Sequence, residues 1–360
     1  MTGRWWRSTA NPTLALTLIS LDPPYEVDAP VFTFGGWAEV DDEDAPNVAL
    51  TLNGRAVAVE LYPRPQVRNH FPGIRVKGLR ATVDFREALA GADPQQDRGG
   101  FLLEATVTSD RRTRTFEYAV SEAWMTAVFG RPLKARRVPP AHLQIRVAGA
   151  AAGAFCRTGL AVAERVEAIV AEGGFAWPAG ARVLDFGCGP GRLIGALQPR
   201  RPQVSFDGCD IDAEAIAWAQ GAMAGFAAFA VNGHAPPLPY PDATFDLVVT
   251  ISTFTHLPQD QQFAWLEELR RVLKPGGLLL ATTMNPHAYD LPEEIRRSAE
   301  ATGFAYWSDA PATDGLPDFY RLAYHSHDYL RREWTRGFDL LRIGAGDLND
   351  TQDSVLLRRA

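Results

Sequence analysis

The sequence predicts two domains of different class: an all-β sandwich in its N-terminal part and an α/β fold with a mostly parallel sheet in its C-terminal part. Three observations carry this expectation. Residues 12 to about 120 alternate apolar and polar positions in short runs broken by Pro, Asp and Gly, and no helical period of any length intrudes. From Ala181 onward strand-like and helix-like segments alternate, the order that builds a parallel sheet. Between the two, Arg131-Pro132, Lys134-Ala-Arg-Arg137, Pro139-Pro140 and the small-residue run Ala148 to Ala154 mark a change of composition. A chain of 360 residues fits two domains. We therefore expect an immunoglobulin-like β-sandwich over 1–120, a linker with a short helix over 121–154, and the α/β domain over 155–360.

In the first domain the clearest signal is a hairpin. Val48, Leu50 and Leu52 alternate with smaller or polar residues, Asn53-Gly54 follows, and Val57, Val59 and Leu61 alternate again. Both positions of a two-residue turn need positive φ, which Asn and Gly supply. Further strands are expected at Leu14–Leu21, Val31–Val40, Leu79–Phe85, Phe101–Thr108 and Thr113–Val120. About seven strands in this length suit a sandwich. His70 sits in Arg68-Asn-His-Phe-Pro72 and reads as structural or exposed. The run Asp41, Asp42, Glu43, Asp44 offers oxygens of the kind calcium takes, but consecutive acids in a turn read better as solvated.

Bulk composition narrows the function classes. Hydrophobic residues make up 46% and charged residues 22%, ordinary globular values. A net charge of -7 argues against a nucleic-acid partner, since phosphate contacts need a basic face. Cys156, Cys188 and Cys209 form no CxxC pair and fit a reducing compartment. Leu14 to Leu21 is too short and too interrupted for a signal segment or a membrane span. The expectation is a cytoplasmic protein with no membrane span; homo-oligomerisation is left open.

In the second domain a helix is expected from Phe155 to Glu172, with apolar spacing at Leu160, Val162, Val166, Ile169 and Val170. Strands are expected at Arg182–Phe186, Val204–Cys209, Ala227–Val231, Asp246–Ile251 and Gly277–Thr283. Helices are expected at Arg192–Leu197, Asp212–Met223 and Gln259–Leu273. Phe338–Ile343 and Ser354–Arg358 would close the sheet as an antiparallel hairpin. Ligands of such a sheet lie at the carboxyl ends of its strands, near the switch in strand order.

The chemistry centres on Ala181 to Arg192. Apolar Val183, Leu184 and Phe186 run into Gly187, Gly189 and Gly191, and a helix follows. A strand, a glycine turn and a helix start place free backbone N–H groups beside a ligand. The spacing is G-x-G-x-G; the dinucleotide fingerprint G-x-G-x-x-G would need glycine where Arg192 stands. That disfavours a nicotinamide-dependent oxidoreductase. Asp185 lies inside the strand, and Asp210 ends the next strand about 20 residues after the turn, where an acid receives ribose hydroxyls. Asp210 as a helix N-cap is the rival reading, although Asp212 caps equally well.

Val183-Leu-Asp-Phe-Gly-Cys-Gly-Pro-Gly191 resembles motif I of the class I S-adenosylmethionine-dependent methyltransferases. Gly208-Cys-Asp-Ile-Asp212 is similar to the acidic end of their second strand. Leu238 to Ser252 and Arg271 to Leu280 are similar to the segments around their fourth and fifth strands. The pieces stand in family order over roughly 180 to 285. From Phe155 onward the chain also resembles a methyltransferase subgroup associated with bacterial glycan assembly, through Thr253-Phe-Thr-His-Leu257 and the tail from Tyr320 to Arg358.

The resemblance implies a Rossmann-like methyltransferase fold with a seven-stranded sheet, S-adenosylmethionine as cofactor, and methyl transfer to oxygen, or less readily nitrogen, of a small-molecule or glycan acceptor. It implies cofactor contacts at Asp185, Phe186, Gly187, Cys188, Gly189, Asp210, Ile211, Asn232, Gly233, His234, Ile251 and Ser252. Asp185 would hold the ammonium group, Asp210 the ribose hydroxyls, and Ile211 one adenine face. His234 stands where the family places an Asp against the adenine amino group, so Asn232 or the backbone at Gly233 is the substitute. Gly276-Gly277 reads as a structural turn. His256, just after the fourth strand, is the first choice for a base assisting a protonated acceptor, and His287 the second. His325 and His327 have a spacing that suits a metal, but no third ligand is evident, so none is expected. Tyr289, Phe304, Tyr306, Trp307, Phe319 and Tyr320 would form an acceptor lid or the core of an insertion. Two rivals remain: a secondary-metabolite methyltransferase with the sandwich as spacer or dimerisation module, and a binding protein that keeps the fold without transfer.

Overall fold

A computed structural model describes residues 19–22, 25–65, 67, 74–92, 101–131, 137–148, 154–308, 321–348 and 352–360. His70, Phe319, Tyr320 and most of the Ala148 to Ala154 run lie outside the described residues. The chain divides into two compact units, Leu14–Arg157 and Thr158–Ala360.

The first unit holds β1 (Ile19–Leu21), β2 (Glu26–Val27), β3 (Val31–Glu39), β4 (Val48–Leu52), β5 (Arg55–Val57), β6 (Glu60–Pro63), β7 (Val76–Asp84), β8 (Leu103–Ser109) and β9 (Thr113–Val120). They form a four-stranded sheet, β1-β3-β7-β6, and a five-stranded sheet, β2-β9-β8-β4-β5. Leu21, Phe34 and Leu79 from one sheet share an apolar cluster with Leu50, Val107 and Phe116 from the other, as alternating strand patterns dictate. Asn53 and Gly54 have φ of 45° and 81°, and Leu52 pairs with Arg55, so the expected hairpin turn is present. The run from Val57 to Leu61 differs from expectation: β5 ends at Val57, and β6 begins at Glu60 in the opposite sheet. Val57 and Leu61 thereby reach one core from two sides. Phe85 opens a short helix, α1 (Phe85–Ala88), because the Asp84 side chain caps it.

Helix α2 (Glu122–Phe129) is capped by Ser121, whose Oγ accepts the Trp124 amide at 3.1 Å. Trp124 and Met125 pack into the sandwich core, so this part of the segment expected as a linker is integrated in the first unit. Helix α3 (Ala141–Ala148) follows. Asp41, Asp42 and Asp44 are exposed, and Asp41 pairs with Arg111.

Helix α4 (Phe155–Glu172) leads into the second unit. There β10 (Arg182–Phe186), α5 (Arg192–Arg200), β11 (Ser205–Asp210), α6 (Ala213–Ala222), β12 (Ala228–Val231), β13 (Phe245–Thr250), α7 (Gln259–Val272) and β14 (Leu273–Thr283) alternate as predicted. Next come α8 (Glu293–Thr302), β15 (Phe304–Trp307), β16 (Leu322–His325), α9 (His327–Glu333), β17 (Phe338–Leu348) and β18 (Gln352–Arg359). The main sheet has seven strands in the order β12-β11-β10-β13-β14-β18-β17. Its first five are parallel, and β18 runs antiparallel to both β14 and β17. The two-domain expectation, sandwich plus Rossmann-like sheet with a terminal antiparallel hairpin, holds.

Both faces of the sheet are covered, as near-continuous apolar strands require. Val162 and Val166 of α4, Ile194 of α5 and Ile216 of α6 pack with Val183 and Leu247 on one face. Trp265 and Leu269 of α7 and Leu330 of α9 pack with Leu184 and Val248 on the other. β15 and β16 pair separately after β14, beside a small cluster of Met284, Leu291, Ala299, Ala305 and Tyr324. Tyr324 is buried and Tyr289 meets its ring edge at 5.4 Å, while Phe304 stacks on Tyr329. Tyr289 and Tyr324 belong to this small cluster, whereas Phe304 and Tyr329 pack with the core of the main sheet; Tyr306 and Trp307 are half-buried. No helix among the described residues is long and apolar enough to cross a membrane.

Candidate active site

The strand order reverses between β10 and β13, which lie side by side. The Gly187 turn leaves the end of β10, and Thr253 follows β13; Thr253 Oγ1 donates to the Phe186 carbonyl at 3.2 Å. Gly187 has φ of 78°, and a Cβ there would collide with Thr253 Oγ1. Glycine is thus required at 187 by its neighbour in the protein as well as by its backbone. Gly189 and Gly191 also have positive φ, 52° and 79°. Gly191 starts α5 without a side-chain cap, so first-turn amides of that helix have no capping side chain.

Three acceptors stand at the carboxyl ends of three neighbouring strands. Asp185 lies near the end of β10 and is 4% exposed; its Oδ2 has no hydrogen-bond partner among the described residues. Burial, with the nearby Asp210 carboxylate, pushes its carboxyl up to about 7, and Arg192 offsets only part of this. Asp210 ends β11; its Oδ2 accepts the Gly189 amide at 2.7 Å and its Oδ1 the Asp212 amide at 2.9 Å. Burial raises the Asp210 carboxyl too, against those two amides. Asn232 follows β12 and is 8% exposed; its Nδ2 donates to the Gly233 carbonyl at 2.8 Å, and its Oδ1 has no partner among the described residues. Asp212, not Asp210, caps α6, accepting the amides of Glu214 and Ala215. The cap reading of Asp210 is thereby removed.

The remaining sequence-selected residues separate by what their side chains touch. The Phe186 ring packs on Trp265, centroids 4.7 Å apart, so its side chain belongs to the core. Cys188 is buried, burial holds its thiol far above its ordinary range, and its Sγ donates to the Gly189 carbonyl at 3.3 Å. The side chains of Phe186 and Cys188 are therefore turned into the core, and only their backbone borders the glycine turn. Ile211 and Ile251 are half-buried, and Gly233 and His234 are exposed. Ser252 takes φ of 61°, rare for a residue with a side chain, and is held there at both ends. Its amide donates to Thr282 Oγ1 at 2.7 Å, and its Oγ pairs with the Gln352 amide group at 2.9–3.1 Å.

Of the histidines, His256 bonds through Nδ1 to the Arg321 carbonyl at 3.0 Å, which makes Nδ1 the donor. Burial brings it down to about 4, so it is neutral at pH 7 but a weak proton acceptor. His287 is exposed in a 3-10 turn. His325 is fully buried, bonds Gln262 through Nε2 at 2.8 Å, and is brought down to about 3 by burial. His327 bonds Asp353 instead, at 2.7 Å. The described residues contain no group of three side chains that could hold a metal ion. Sequence reasoning missed Thr253, Gln352 and Asp353, whose places depend on contacts between strands distant in the chain.

A doubly covered sheet of this order, with acids ending its central strands and a glycine turn at the switch point, defines a Rossmann-like methyltransferase fold. Residues 183–277 match the family model described as "Methyltransferase domain". The chain is 34% identical over 122 residues to the fatty-acid O-methyltransferase of Mycolicibacterium smegmatis, covering 34% of this chain and 43% of that protein. It is 36% identical over 107 residues to the tRNA (carboxymethyluridine(34)-5-O)-methyltransferase of Arabidopsis thaliana, covering 29% of this chain and 24% of that one. The chain thus spans less than half the length of either relative. Among solved structures, a SAM-dependent methyltransferase from Methanosarcina mazei aligns with a TM-score of 0.38 and 21% identity, covering 51% of this chain and 93% of that one.

Proposed function

We propose that this chain transfers the methyl group of S-adenosylmethionine to an oxygen of a sugar, glycan or related small molecule. One observation supports the donor assignment above the others. Asp185 Oδ2 and Asn232 Oδ1 are buried acceptors without partners among the described residues, and they flank Asp210 in the strand order β12-β11-β10. Strands stand about 4.8 Å apart, so the three acceptors span about 10 Å. The donor presents, in sequence along its length, an ammonium group, a ribose diol and an adenine amino group. Each is a hydrogen-bond donor that suits one of the three. Asp185 takes the ammonium, Asp210 the diol through its remaining lone pairs, and Asn232 Oδ1 the adenine amino group. Gly187 and Gly189 border the amino-acid portion, Ile211 packs on adenine, and Gly233, His234, Ile251 and Ser252 complete the rim. When bound, the donor supplies an activated methyl group; the protein aligns the acceptor and excludes water.

The acceptor class rests on the resemblance to glycan-associated methyltransferases and on the fusion to an immunoglobulin-like sandwich, which serves as spacer, dimerisation module or glycan contact. The relatives named above act on unlike acceptors, a fatty acid and a tRNA, so the matched segment reports the donor and not the acceptor. In this reading the sandwich domain expected over 1–120 takes in α2 as well, the second domain runs over 155–360, and the protein works in the cytoplasm without a nucleic-acid partner.

The test is a thermal shift with S-adenosylmethionine, S-adenosylhomocysteine and NADH, followed by labelled transfer to sugars, phenols and fatty acids. Stabilisation by the first two ligands and label in a sugar or phenol is the expected result. A shift with NADH alone overturns the donor assignment. Label in a fatty acid alone overturns the acceptor class.

A further inference from the structure

We propose that His327 and Asp353 form a base dyad that takes the proton from a hydroxyl acceptor, with His327 as catalytic base and Asp353 as the residue that positions it. The inference rests on the methyltransferase reading above and deepens it by naming the acceptor chemistry.

The dyad lies at the ligand end of the sheet. Asp353 pairs with Thr283, the last residue of β14, and β14 runs parallel to β10. A short chain of contacts links it to the glycine turn: Gly187 packs on Thr253, neighbouring Ser252 bonds Gln352, and Gln352 precedes Asp353. The strained backbone at Ser252 belongs to this connection.

The chemistry of the pair is directional. Asp353 is 4% exposed, and its Oδ1 accepts the Gly346 amide at 2.7 Å, which fixes the carboxylate plane. Its Oδ2 meets His327 Nε2 at 2.7 Å. A carboxylate can only accept here, so Nε2 carries the hydrogen and Nδ1 is left with the lone pair. Among the described residues Nδ1 has no hydrogen-bond partner. The His327 side chain is 27% exposed, so a ligand can reach it. Ser326 caps α9 through the Tyr329 amide, which anchors the backbone carrying the imidazole. His256 differs in its partner, since its Nδ1–H donates to a neutral carbonyl that stabilises an imidazolium less than a carboxylate does, and desolvation weakens it as a base.

In the step, the acceptor oxygen forms a bond to the methyl carbon as the sulfur–methyl bond breaks, and that electron pair stays on sulfur. The hydroxyl proton passes to His327 Nδ1, and the new imidazolium is stabilised by Asp353. The positive charge lost from sulfonium reappears on the imidazolium. An ionised carboxylic acid acceptor needs no such base, so the dyad points to an alcohol or phenol.

The experiment uses the full chain and the variants H327A, H327Q, D353N and H256A. S-adenosylhomocysteine binding is measured by calorimetry on each. Transfer of labelled methyl is then followed to catechol, to methyl α-glucoside and to palmitic acid, with and without added imidazole. The tautomer of His327 is read from long-range 15N–1H spectra. We expect wild-type affinity in H327A, a loss of hydroxyl methylation of roughly 100-fold or more, partial rescue by imidazole, and an Nε2–H tautomer that D353N disturbs. H327Q carries the same comparison if H327A does not fold, and H256A loses less. Absence of S-adenosylhomocysteine binding by the wild type overturns the methyltransferase reading itself. Binding with unchanged transfer in H327A, with an Nδ1–H tautomer, or with transfer to neither hydroxyl acceptor overturns the dyad and leaves donor binding intact.

Discussion

The Gly189 amide donates to Asp210 Oδ2 at 2.7 Å, so the acid that ends the second strand of the site also holds the turn that follows the first. Asp210 therefore shapes the site before any ligand arrives. Charged hydrogen bonds of this kind contribute about 1.5–3 kcal/mol each. D210A should weaken S-adenosylhomocysteine about 100-fold in calorimetry while the circular dichroism spectrum is kept. An affinity within threefold of wild type would remove both of its roles.

Ligand affinity should depend on pH through Asp185. Its carboxyl is pushed up to about 7, and a bound ammonium favours the ionised form. Below pH 7 binding must release a proton, so affinity should fall about tenfold per pH unit from pH 7 to 5 and level off above 7.5. Calorimetry at pH 6 in buffers of different ionisation enthalpy should report close to one proton released. D185N should bind more weakly at pH 8 and show no such slope.

Gly187 faces two separate demands, and a double-mutant cycle can resolve them. Its φ of 78° costs an L-residue about 1–2 kcal/mol, and the collision with Thr253 adds an overpacking penalty of about 1–3 kcal/mol. G187A should lose roughly 2–5 kcal/mol in urea unfolding. T253A placed on top should restore the steric part alone, giving a coupling of about 1–3 kcal/mol.

His325 makes the second unit acid-sensitive. Its imidazole is brought down to about 3 by burial, whereas an unfolded histidine titrates near 6.5. The unfolded chain then binds the extra proton, so stability is unaffected above pH 6.5 and falls as pH drops below it. By pH 4 the loss from this group is about 3 kcal/mol. H325Q should show a shallower fall between pH 6.5 and 4, and an NMR titration should find His325 neutral down to pH 4.

What was legible in the sequence was local. The run Val183 to Gly191 announces strand, turn and helix because apolar residues, glycines and an amphipathic start follow one another directly. Asn53-Gly54 announces its hairpin for the same reason. Alternation of strands and helices predicted the parallel sheet, and the closing hairpin of β17 and β18 was expected as well, whereas the strand order came from the structure. Where neighbours in space are distant in the chain, the signal faded. The alternating run from Val57 to Leu61 gave no hint of crossing between sheets, since either sheet buries the same face.

The site divides along the same line. Chain spacing set Asp185 and Asp210 at their strand ends, because each sits in or next to its own strand, and the family resemblance added Asn232 after the third. Only the packed structure decided that Asp212 caps α6, that Phe186 and Cys188 turn their side chains into the core, and that the half-buried His256 bonds the Arg321 carbonyl. Only it paired His327 with Asp353, 26 residues apart in the chain. The physical reason is that hydrogen-bond partners and burial set the protonation of a side chain, and both are supplied by elements that meet only when the sheet is assembled.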